Sequence, residues 1–343
     1  MDLLREKGAE VARNMLRALI IQPGAIGDCI LTLPLAAFVK NTLGLGGIDI
    51  LGHTEYVGFL PGRSCIDGVR SIDALELNRL FTETGAFELT DRDSLIDAFS
   101  DYSWIITFMG GPESNFEQNL IYTANCSHSA EVITLSMKPH QDCPEHVSAF
   151  SIRQFIERDG LPGQSRETRT DARLIKANPA DLTAGRKLLL ERGLNSRRKL
   201  VVIHPGSGGK EKCWYVGNFL AVAAGLASKG FEVVFLLGPA EAERFSEATT
   251  DRINSVAPCL TGLSLTDIVG LLSCAEAFVG NDSGITHLAG VLGVRTAVVF
   301  GPTYPAVYKP MGPCVSVFTA GGTGFTGRSS ISLQQRVLDA LTA

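Results

Sequence analysis

The chain has 343 residues, 45% hydrophobic and 20% charged, which suits two α/β domains better than one and supplies apolar material for two cores. Its formal net charge is −5, and it divides unevenly: residues 1–150 carry 10 Lys+Arg and 20 Asp+Glu, whereas residues 151–343 carry 21 and 16. The acidic first part argues against nucleic acid as a partner, and the basic second part is the natural home for a phosphorylated ligand. No uninterrupted apolar run approaches the ~18 residues of a spanning helix. Met1-Asp2-Leu3-Leu4-Arg5-Glu6-Lys7 has no secretory pattern, so a cytoplasmic protein is expected. Eight scattered cysteines (29, 65, 126, 143, 213, 259, 274 and 314) without a C-x-x-C pair fit a reducing compartment and argue against structural zinc or disulfides.

In chain order, residues 1–17 can form an amphipathic helix with Leu4, Val11 and Met15 on one face, packed on the protein itself. A first strand, Ala18–Gln22, stops at Pro23-Gly24-Ala25-Ile26-Gly27-Asp28, and an apolar helix follows over Cys29–Phe38. Strands are expected at Ile48–Leu51, Trp104–Phe108 and Val132–Leu135, a βαβ rhythm that implies a parallel sheet. Gly160–Thr170 reads as a linker. After a helix near 179–192 the rhythm restarts: strand Lys199–His204, the turn Pro205-Gly206-Ser207-Gly208-Gly209, helix Asn218–Ser228 and strand Phe231–Leu237. Ser264-Leu265-Thr266-Asp267 reads as a capping box opening a helix. Ala277–Val279 and Thr296–Phe300 complete the strands, and Ser332–Leu341 forms a closing helix. The expected domains are 1–165 and 166–330, with 331–343 as the closing helix. The expected fold class is α/β of GT-B type: two Rossmann-like domains whose parallel sheets face a central cleft.

The stretch Val279-Gly280-Asn281-Asp282-Ser283-Gly284-Ile285-Thr286-His287-Leu288-Ala289 is the most informative. A strand running through a small-residue turn into a helix aims unpaired amides and a positive helix end at one point, a site for a phosphate or diphosphate. Asp282 is out of place beside a phosphate unless it has another task, such as holding sugar hydroxyls. The pattern therefore suggests a nucleotide sugar. Asp28, at the first turn, is open to two readings: a general base, or a helix N-cap. His287 is open between a phosphate neighbour and a packing histidine. Zinc is disfavoured there, since no second His or Cys stands at metal spacing.

Together, Pro23–Asp28 with Thr32-Leu33-Pro34, His204-Pro205-Gly206-Ser207 with Lys212-Cys213-Trp214, Gly238-Pro239-Ala240-Glu241, and Gly280–Gly284 followed by His287-Leu288-Ala289 resemble glycosyltransferase family 9, the heptosyltransferase family. The pieces occur in family order across residues 18–303. The resemblance implies an inverting, metal-independent transferase acting through closure of its domains, with an ADP-heptose co-substrate and no bound cofactor. The implied acceptor is a lipopolysaccharide core sugar or related, lipid-linked glycan, which would bring peripheral contact with the inner face of the membrane. It implies that Asp28 is the base, with Gly24 and Gly27 allowing close approach, and that Lys212 stabilises the leaving diphosphate. Ser207 and Gly208 would add donors, Glu241 would hold the ribose against competition from Glu243, and Leu263 would cradle the adenine. Asp282, Ser283, Gly284, Thr286 and His287 would complete the donor site. A sugar-nucleotide epimerase and a non-catalytic nucleotide-sugar module are the alternatives on the same fold. The acidic first part departs from the basic residues with which the best-known members grip an anionic acceptor. Tyr215-Val216-Gly217-Asn218 lacks the proline common after the tryptophan. No motif encodes the oligomeric state.

Overall fold

A computed structural model describes residues 16–140, 144–159, 173–194, 198–320 and 325–342. The linker lies outside these residues, as does the expected N-terminal helix except for its last two residues, of which Arg17 opens a strand instead. The chain forms two compact units, Met1–Thr168 and Arg169–Ala343.

Unit 1 is built on five strands, β1 (Arg17–Ile21), β2 (Gly47–Gly52), β3 (Gly68–Ser71), β4 (Trp104–Thr107) and β5 (Glu131–Thr134). All are parallel, in the order β3-β2-β1-β4-β5. β1 and β2 are apolar and buried because helices cover both faces of a parallel sheet. β3 was not expected: Gly-Val-Arg-Ser is a half-buried edge strand with no apolar run to announce it. Helix α1 (Ile26–Leu43) extends well beyond the expected span in both directions and ends on Gly44, whose left-handed φ of 63° suits glycine. By length and composition α1 is also apolar enough to cross a membrane, which the sequence reading passed over. Half of it is buried inside the unit, where Phe38 meets Phe155 of helix α2 (Val147–Asp159) edge to face at 6.2 Å.

Unit 2 holds β6 (Leu200–His204), β7 (Glu232–Leu237), β8 (Cys259–Thr261), β9 (Ala277–Asn281), β10 (Arg295–Phe300) and β11 (Val315–Thr319). They are again all parallel, in the order β11-β10-β9-β6-β7-β8. The two edge strands β8 and β11 were not expected: one is three residues long, and the other alternates only over Val-Ser-Val, too short a run to stand out. The helices that matter below are α3 (Pro179–Glu191), α4 (Val216–Ser228), α5 (Pro239–Arg244), α6 (Leu265–Ser273), α7 (Gly284–Leu292) and α8 (Ile331–Thr342). The core gathers Val201, Ile203, Phe219, Phe235, Val279 and Val299 with Val337 of α8. Helices α3 and α6 cross at Gly185 and Gly270, where a β-carbon on Gly185 would lie 2.2 Å from the Gly270 carbonyl oxygen.

Strand order reverses at β1/β4 in unit 1 and at β6/β9 in unit 2. In open parallel sheets, ligands bind at the carboxyl ends of the strands at such a reversal. The turns holding Asp28 and Asp282 sit at these two places.

Candidate active site

In unit 2, β6 and β9 are neighbours with His204 opposite Gly280, so the loops that follow them meet. Asn281, fully buried, straps them together. Its amide donates to the carbonyls of Pro205 (2.7 Å) and Gly206 (3.3 Å), and its oxygen accepts the Trp214 amide at 2.8 Å. The Ser207 hydroxyl donates to the Asp282 carbonyl at 2.6 Å. Gly280 is required here because a β-carbon would come within 2.8 Å of the Thr286 hydroxyl.

Asp282 is the centre of the cluster, 6% exposed. Its Oδ2 accepts from Lys212 Nζ at 3.1 Å and from the Thr303 hydroxyl at 2.8 Å, and its Oδ1 lies 3.7 Å from His287 Nε2. The last distance is too long for a hydrogen bond. Burial pushes the Asp282 carboxyl up, but His287, Lys212 and Thr303 together outweigh it and hold it below its ordinary value. His287 is buried, and its Nδ1 has no hydrogen-bond partner among the described residues. The cluster thus combines an ammonium, a buried imidazole with a free nitrogen and the first-turn amides of α7, a constellation suited to an anion.

Some assigned tasks change. The Ser283 hydroxyl is the N-cap of α7, accepting the Thr286 amide at 3.4 Å, and the Thr286 hydroxyl donates to the Asn281 carbonyl at 2.6 Å. These hydroxyls, like that of Ser207, are committed within the protein, so donation to a ligand falls to backbone amides such as that of Gly284, the first residue of α7. Trp214 is buried and packs edge-on to Phe219 at 5.2 Å. Burial raises the Cys213 thiol, which is no activated nucleophile.

Glu241 is 3% exposed, whereas its competitor Glu243 is exposed. Its Oε2 accepts the Gly238 amide at 2.6 Å, and its Oε1 lies where a β-carbon on Gly206 would be only 1.5 Å away. Leu263 is half-buried at the end of β8, between Gly262 (φ 70°) and the Ser264 cap of α6. The carboxyl ends of β8, β7, β6 and β9 therefore carry Leu263, Glu241, Ser207 and Asp282 in a row.

In unit 1, Asp28 is not an N-cap. Ala25 caps α1, and Asp28 is its third residue, its Oδ2 accepting the Ala25 amide at 3.2 Å. Gly24 makes this fold-back available, since a β-carbon there would sit 2.6 Å from Cβ of Asp28. Gly27 lies in the first turn of α1 rather than in the loop. A buried chain holds the turn: Gln22 accepts the Gly24 amide at 2.9 Å and donates to Thr32 at 2.8 Å, and Thr32 donates to the Asp28 carbonyl at 2.9 Å. Asp28 also borders a small cavity with Phe108, Met137 and Val147. The sequence reading missed Thr303, Arg244 and Asn281, whose contacts join distant loops. It also missed a surface group, His53, Glu55 and Asp73, whose ligand atoms lie within 4.8 Å of one another and could hold a metal ion.

Two all-parallel α/β units with a ligand-directed cluster at a sheet's reversal point define a GT-B type protein. The model of glycosyltransferase family 9 (heptosyltransferase) matches residues 152–324, half of the chain, and the chain belongs to that family. Lipopolysaccharide heptosyltransferase 3 of Escherichia coli is 28% identical over 325 residues, 86% of each chain. Lipooligosaccharide heptosyltransferase 2 of Campylobacter jejuni is 29% identical over 135 residues, 38% of this chain and 42% of that protein's length. Among solved structures, the E. coli ADP-heptose LPS heptosyltransferase II matches with a TM-score of 0.67 at 18% identity, over 95% of this chain and 98% of that one. At that identity the likeness is one of fold. Membership makes the chain a glycosyltransferase and sets aside the epimerase and the non-catalytic module.

Proposed function

We propose that this glycosyltransferase moves heptose from ADP-heptose onto a lipopolysaccharide core sugar or related glycan, with inversion at the anomeric carbon and without a metal. The observation that carries the reading is the Lys212–Asp282–His287 cluster at the start of α7. It gathers groups that neutralise a leaving diphosphate, the task a divalent cation performs in other transferases. The named heptosyltransferase relatives support the sugar and the acceptor class.

The acceptor hydroxyl oxygen bonds to the anomeric carbon as the bond from that carbon to the diphosphate oxygen breaks. The hydroxyl proton passes to Asp28, and the electron pair leaves with ADP, stabilised by Lys212 and the first-turn amides of α7. Glu241 accepts from the ribose hydroxyls, Leu263 packs on the adenine, and the remaining acceptor capacity of Asp282 orients the sugar. Transfer to a lipid-linked acceptor takes place at the cytoplasmic face of the inner membrane.

Calorimetric titration with ADP, UDP and GDP, each in chelator, tests this reading. Selective binding of ADP is expected. Preference for UDP or GDP overturns the ADP-heptose assignment, and no binding at all overturns the donor site.

A further inference from the structure

Arg244, the last residue of α5, lies outside every motif that defines the site. Its guanidinium spans two consecutive peptides of the loop after β6: Nη1 donates to the Ser207 carbonyl at 2.6 Å, and Nη2 donates to the Gly208 carbonyl. The peptide bonds of the described residues are all trans. In a trans peptide the N–H points opposite to the C=O of the same plane. Fixing the Ser207 and Gly208 carbonyls toward Arg244 therefore turns the amides of Gly208 and Gly209 away from it. Neither amide has a hydrogen-bond partner among the described residues. Gly208 is exposed, with open space where a β-carbon would be.

Three residues earlier on the same helix, Glu241 rests on Gly206. The short helix α5 thus grips one loop at two points, at Gly206 through a carboxylate and at Ser207 and Gly208 through a guanidinium.

Resting on the donor-site reading above, we propose that Arg244 is a positioning residue: its fork across the Ser207 and Gly208 carbonyls holds the Gly208 and Gly209 amides as a pre-aimed pair of donors for the donor's diphosphate. Arg244 acts through the loop and does not touch the ligand. Its charge is therefore secondary to its planar, two-pronged shape, which lysine cannot reproduce.

The test compares wild type with Arg244→Lys and Arg244→Met, titrated with ADP and with adenosine. Both variants are expected to lose about tenfold in ADP affinity, the worth of one charge-assisted hydrogen-bond pair, while adenosine affinity stays unchanged. In turnover assays the donor KM should rise more than kcat falls. If Arg244→Lys binds ADP as wild type does, or if adenosine affinity falls in parallel, the proposal is overturned while the donor site stands. If wild type binds no ADP, the donor-site reading fails first. A measurement on wild type covers variants that do not fold. On adding ADP, the Gly208 and Gly209 amide resonances should shift among the most of all backbone amides, and adenosine should leave them in place. Unmoved amides overturn the proposal.

Discussion

The two units set an aspartate at the same topological place, the turn after a central parallel strand, and surround it in opposite ways. Asp28 is half-buried and bound through one oxygen to the Ala25 amide, and among the described residues it forms no ion pair. Asp282 is buried against Lys212, His287 and Thr303. A carboxylate that meets an ammonium is held ionised, which suits an anchor. One that meets only a neutral amide keeps an oxygen free to take a proton. The strand-turn-helix pattern is thus silent about role, and the neighbours decide it.

The largest effect should come from Asp28→Asn. An asparagine oxygen can still accept the Ala25 amide, so the turn survives, but transfer should fall ~10²–10⁴-fold, the usual contribution of a general base. Calorimetry should show ADP affinity nearly unchanged; a parallel loss would put Asp28 on the donor side and erase the contrast. Next is Lys212→Met, expected to slow transfer ~10²–10³-fold and, unlike Asp28→Asn, to weaken ADP binding as well. If ADP binds as tightly as before, Lys212 serves Asp282 and not the phosphate.

A smaller effect belongs to Asp282 alone. Its carboxyl is held below the ordinary 3.8, so the stability it contributes is complete above that value and is lost as pH falls through the lower, folded-state value. Chemical denaturation of wild type and Asp282→Asn should therefore differ near neutrality, by about 1–3 kcal/mol, and converge only once the pH has fallen below that lowered, folded-state value. A gap that persists at low pH would show that the loss at position 282 is one of packing rather than charge.

Much of this was legible in the chain. β1 and β6 announce themselves as apolar runs that break at glycine, and the Ser264 capping box appears where the sequence places it, with Asp267 three residues on. Asp282 stood out because a carboxylate beside an anion site needs a reason. That reason was not readable: Thr303 reaches it from 21 residues downstream, and Lys212 from 70 upstream. Arg244 carried no signal in the sequence, since its partners lie 36 and 37 residues away. Local spacing reveals elements and turns, whereas contacts between loops exist only once the sheet has set its strand order.

The glycine crossing of α3 and α6 has a mechanical consequence. With no side chain between them, two backbones touch, and the joint has no rotamer to yield. Bulk added at position 185 must displace Gly270 bodily, and α6 carries at its other end the Ser264 cap and, one residue before it, Leu263. The first long helix described in unit 2 is in this way a doorstop for the loop that follows β8, setting its position from a distance.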